Sequence, residues 1–78
     1  MEKYKIAYTA AQPGYRNYAE TKTGELADVK DYAWQAVRYP YHVGIEDRYG
    51  NLLCYLEFWR NPNGRFGWDG WHTVYYKD

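Results

Sequence analysis

Along the chain, apolar and polar positions alternate with a period of two in three places and recur at the helical period in one. Residues 3–9 set Tyr4, Ile6 and Tyr8 on one face and Lys3, Lys5 and Ala7 on the other, the pattern of a half-buried strand. Gln12-Pro13-Gly14 then makes a turn. Residues 15–22 suit a short second strand, and their Arg, Asn and Glu mark it as an edge or an irregular segment.

From residue 27 to 38, Val29, Ala33, Ala36 and Val37 recur at helical spacing, with Asp28 or Thr23 placed to cap the start and Pro40 to end the run. Tyr32 shares the apolar sector, and Trp34 lies about 200° from it, facing solvent or covering a loop. Past Pro40 the period returns to two. Tyr41, Val43 and Ile45 line one face of residues 41–48, and Leu52, Cys54, Leu56 and Phe58 line one face of residues 52–60. Arg48-Tyr49-Gly50-Asn51 joins these two strands, with glycine where a hairpin needs positive φ. Asn61-Pro62-Asn63-Gly64 is a second turn of type I character. A final strand covers residues 71–76, with a short extension at Arg65-Phe66. The expected fold is α+β, in the order β(β)αβββ, with one helix packed on a three- to five-stranded antiparallel sheet.

Residues 1–78 are read as a single domain, because a chain this short buries only roughly 60% of its unfolded surface and has no second core to spare. Aromatic content changes the picture of that core: eleven Tyr, four Trp and two Phe make up 22% of the chain and must take the place of scarce aliphatics. Enough rings are left over for the surface. Ten basic residues balance ten acidic ones, which removes any global electrostatic case for nucleic acid or an anionic membrane and leaves only a local patch. Cys54 is the only cysteine, and the opening residues hold no apolar run of signal or membrane-spanning length, so a cytoplasmic setting in a bacterial host is expected.

Candidate chemistry is sparse. The chain has no serine, and its histidines are His42 and His72. Cys54 alternates with core positions while His42 belongs to the opposite set, so the two form no nucleophile–base pair. Two histidines thirty residues apart match no zinc spacing. Glu46 and Asp47 point to opposite faces, and the glycines of residues 64–70 lack the spacing of a phosphate loop. Catalysis, a metal site and a cofactor are therefore not expected.

Binding is. Tyr55, Glu57 and Trp59 lie on the sheet face opposite the core positions, beside His42, Glu46 and Arg48 of the neighbouring strand, and exposed Tyr, Trp and Arg are the composition of an interface hot spot. Trp68 and Trp71 flank Asp69 in a glycine-jointed loop, which reads either as an aromatic cage for a cationic or stacked ligand or as a plug over the open end of the core. Partner-binding candidates are Arg48, Tyr55, Glu57, Trp59, Trp68 and Trp71. Another protein, or a second copy in a homodimer, is the expected partner. Small ligands or nucleotides, and single-stranded nucleic acid on stacking rings beside Lys3, Lys5, Arg16 and Arg48, are the alternatives.

Two stretches carry resemblances. GWDGWHTVYY (67–76) resembles elements of choline- and glucan-binding cell-wall repeats, which occur in tandem on secreted proteins, whereas one copy stands here. TGELADVKDYA (23–33) followed by VGIEDRYGNLLCYLE (43–57) is similar to small phage and mobile-element proteins, among them anti-CRISPR proteins that inhibit type I surveillance complexes. That resemblance implies a strand–helix–hairpin layout and a non-enzymatic inhibitor acting by occlusion.

Overall fold

The computed structural model describes residues 1–76. The chain runs through β1 (Glu2–Ala10), β2 (Tyr18–Gly24), α1 (Leu26–Ala36), β3 (Tyr41–Glu46), β4 (Leu52–Leu56), β5 (Phe58–Arg60), β6 (Phe66–Trp68) and β7 (His72–Thr73). The expected α+β class is observed and the order follows the expected one roughly, with five strands in place of three after the helix: a five-stranded antiparallel sheet in the order β2-β1-β3-β4-β7 and a separate two-stranded ribbon of β5 and β6.

The alternation of β1 sorts its side chains as read: Tyr4, Ile6 and Tyr8 are buried. They meet Val29, Ala33 and Val37 from the helical segment and Val43, Ile45, Cys54 and Leu56 from the neighbouring strands in one cluster. β2 is an edge strand, as its polar composition implied, and α1 crosses over it and β1. Glu20 of β2 fastens the layers, its carboxylate accepting from the Tyr8 hydroxyl at 2.7 Å and from the Tyr32 hydroxyl of α1 at 2.6 Å.

The helix stops short of the end that its apolar spacing suggested. Its N-cap is Glu25, without a side-chain cap, so neither Asp28 nor Thr23 serves, and Asp28 instead lies in the first turn where its charge suits the helix dipole. At the other end Val37 is already extended, because the proline two residues beyond Arg38 bars helical continuation. The Arg38 side chain donates to the Gln35 and Val37 carbonyls there, satisfying acceptors that the helix end leaves open.

Both turns form where glycine placed them, with Gly50 at φ 85° and Gly64 at φ 88°. In the first, Asp47 Oδ1 accepts from the amides of Tyr49 and Asn51. The strand after it departs from the even alternation expected of residues 52–60 in two ways. A register shift beside Glu46 opposes that residue to Leu52, which puts Leu52 on the face away from the core and sends Leu53 against the core in its place. At Glu57 the strand breaks altogether. The Phe58 amide, instead of joining the ladder, donates to His42 Nδ1 at 2.8 Å, and β5 leaves to pair with β6. The Arg65-Phe66 extension is thus part of the ribbon, and the last strand of the main sheet shrinks to His72–Thr73, extended by the bond from the Val74 amide to Leu53 O.

Candidate functional site

With α1 on one side, the opposite face of the sheet is uncovered by any helix among the described residues. Cross-strand pairing lays out its floor in rows. Ala19, Ala7, Gly44, Tyr55 and His72 succeed one another across all five strands, two alanines and a glycine leading to a pair of rings. The Tyr55 and His72 rings stack at 4.9 Å and 18°. The next row runs Thr21, Lys5, Glu46 and Leu52. Small side chains from the β2 edge to the centre, with the Tyr55–His72 pair beyond them and longer side chains in the next row, make a trough.

One end of it is a hollow of about 280 Å³ whose walls include Ala7, Thr9, His42, Tyr55 and Glu57. Leu52 lies over the floor, and a Cβ on Gly44 would stand 3.0 Å from its Cδ1, so glycine at 44 is what lets Leu52 settle there. A second hollow, of about 340 Å³, holds Lys3, Lys5, Asp47 and Arg48 and shares Glu46 with the first. Because His42 Nδ1 accepts the Phe58 amide, the imidazole is held as the tautomer with its proton on Nε2, a fixed donor.

Of the residues singled out by sequence, Tyr55, Glu57 and Arg48 belong to this face, Tyr55 and Glu57 in the first hollow and Arg48 in the second. Arg48 is not beside Tyr55 on a strand, since β3 ends at Glu46; it lies on the turn, its guanidinium 5.0 Å over the Tyr49 ring and bonded to the Tyr49 hydroxyl. Trp59 left the face when β5 left the sheet. Its ring lies against Gly67 on β6, where a Cβ would approach it to 3.1 Å. Trp68 and Trp71 pack against the core. Trp68 donates from Nε1 to Tyr41 O at 2.8 Å and meets Phe58 and Phe66 with its ring, while Lys30 of α1 sits 5.7 Å over Trp71. This packing is that of the plug.

Titration follows burial elsewhere in the molecule. Burial pushes the Cys54 thiol up, with Lys30 pulling weakly the other way, so the thiolate is disfavoured. Tyr8 is driven far above the ordinary phenol range by burial and then by its bond to Glu20. Among the described residues no group of three or more His, Cys, Asp or Glu is placed to hold a metal ion.

What sequence reasoning missed is a run of rings along the core's other edge. Tyr8 stacks on Tyr18 at 4.5 Å, Tyr18 meets Tyr41 at 5.1 Å, and Tyr15, Tyr39 and Phe66 continue the run edge to face. The signal that could have found it is local: every arginine in the chain has an aromatic residue as its immediate neighbour. Comparison of the chain with protein-family models, with characterised proteins and with solved structures finds no match.

Proposed function

We propose that this chain is a non-enzymatic binding module that docks another protein on the open face of its sheet, with Tyr55, Glu57 and Leu52 as contacts at one end of the trough and Arg48 at the other. The supporting observation is the row Ala19, Ala7, Gly44, Tyr55, His72: a two-layer fold leaves one face of its sheet to water, where polar side chains are the rule, and here that open face carries an apolar floor with a stacked pair of rings. A partner side chain entering over Gly44 would find aliphatic floor, the stacked Tyr55–His72 pair as a wall, and fixed polar groups at His42 and Glu57 for orientation. Occlusion of a host complex, implied by the resemblance to small mobile-element inhibitors, is the mode of action that suits a domain without catalytic groups. The buried free thiol of Cys54 supports a reducing, cytoplasmic setting. No helix among the described residues is long and apolar enough to cross a membrane.

Light scattering of the purified protein combined with affinity capture from its host tests this reading. A monomer whose captured partner is lost with Tyr55→Ala and Leu52→Lys is the expected result. A salt-insensitive dimer broken by the same substitutions would assign the face to self-association instead.

A further inference from the structure

The run of rings opposite the trough carries its own charge. The five arginines occur as Tyr15-Arg16, Arg38-Tyr39, Arg48-Tyr49, Trp59-Arg60 and Arg65-Phe66. Folding gathers four of these pairs around Tyr39, which meets Tyr15 at 6.3 Å and Phe66 at 4.8 Å and accepts from Arg60 at 3.3 Å. Arg60 also stands directly across the ribbon from Phe66. Arg38 is close enough to Tyr18 to act on its hydroxyl electrostatically. The bonds made by the Arg38 and Arg60 guanidinium groups go to carbonyl and phenol oxygens, which leaves their charge uncompensated by those partners. Glu20, the carboxylate nearest the Tyr8 end, has both oxygens occupied by tyrosine hydroxyls.

The outer rings Tyr15 and Phe66 are each 47% exposed. Their contacts with Tyr39 are T-shaped, an arrangement in which one ring of each pair meets the other by its edge and covers less of it than stacking would. A domain of zero formal charge therefore holds a local surface where exposed rings alternate with guanidinium groups whose bonds go to neutral oxygens.

We propose that this surface binds a single strand of nucleic acid, its bases stacking on Tyr15, Tyr39 and Phe66 and its phosphates held by Arg38 and Arg60, with Arg16 and Arg65 flanking. Each nucleotide offers one planar base and one negative charge, the complement of the ring and the positive charge that each Arg–aromatic dipeptide presents. An acidic polypeptide supplies the charge and lacks the planar groups. The site is separate from the trough, so its failure would leave the protein-binding reading standing.

The test is fluorescence anisotropy with a labelled oligothymidylate of about 12 nucleotides, a length within the range a small stacking domain covers. Binding should appear at low salt and weaken linearly in log–log form as salt rises. Replacing Arg38 and Arg60 together by Gln should flatten that line by about 1.4, at ~0.7 for each phosphate no longer neutralised. Phe66→Ala should weaken binding by about fivefold or more at unchanged salt slope, and Tyr55→Ala, on the trough, should change nothing. Photo-crosslinking of the same oligonucleotide to the unmodified protein should map to Tyr15, Tyr39 or Phe66, a readout that no folding defect can mimic. Absence of binding at low salt, crosslinks confined to other residues, or polyglutamate bound as tightly as the oligonucleotide would overturn the proposal.

Discussion

Glu20 shows how one side chain can decide the fit of a layer. It sits on an edge strand, half-buried, and accepts two phenol hydroxyls that reach it from β1 and α1. Glu20→Gln keeps the shape but presents an amide donor to one of those hydroxyls, and should cost about 1–3 kcal/mol in a denaturant titration. Burial of Tyr8, and after it the same pairing, sets an alkaline limit. Tyr8 is neutral in the folded state with its pKa raised, while in the unfolded chain it ionises near 10. Stability from this group is therefore complete below pH 10 and falls as pH rises further, by about 1.4 kcal/mol per pH unit. Tyr8→Phe removes its share of that decline and leaves those of Tyr4, Tyr18 and Tyr32, whose pKa values are also raised, so stability curves measured on both sides of pH 10 should show a shallower fall.

At the scale of elements, the ribbon of β5 and β6 and the turn before β4 hold by different means. Phe58 is the ribbon's anchor, in ring contact with Tyr39, His42, Phe66 and Trp68. Phe58→Ala should cost about 3–5 kcal/mol, a large part of the stability of so small a domain, and should lower the melting temperature accordingly. The turn depends on the Asp47 carboxylate, whose pKa is lowered first by the Asn51 amide and further by the Asn51 side chain, the Tyr49 amide and Arg48, against some desolvation. A lowered carboxyl stabilises above its unfolded pKa and loses that contribution as pH falls through the folded value. Exchange protection of the Tyr49 and Asn51 amides should accordingly disappear in acid before the core amides open. The elements themselves were legible where pattern and punctuation agreed. β1, the edge strand, the helix and both glycine turns follow from period and turn residues. The break at Glu57 was not legible, because Phe58 continues the apolar alternation of Leu56 without a gap, and the event that ends β4 is a hydrogen bond to His42, sixteen residues away.

The whole molecule is elongated, 42 × 26 × 20 Å, with a radius of gyration of 13.0 Å where a compact chain of this length would give about 11.5 Å. The ribbon pairs with no strand of the main sheet, and the residues of the trough and of the arginine-rich edge do not overlap. Gly44→Leu should fill the trough. Isothermal titration with the captured partner should then show affinity reduced by about tenfold or more, the effect of a central hot-spot loss, while oligonucleotide binding at the arginine-rich edge stays as it was. The amino-acid sequence alone determined the class of fold, the core face of β1 and the positions of the turns, since each depends on residue type and local period. It also placed Tyr55 and Glu57 on the open face, because period-two geometry needs no knowledge of the rest of the chain. Only the tertiary structure decided that Leu52 joins them, that Trp59 leaves with the ribbon, that Trp68 and Trp71 close the core, and that four Arg–aromatic pairs meet. The reason is common to all four: a register shift, a strand break and the meeting of distant rings depend on partners far along the chain, and a single strand's alternation carries no record of them.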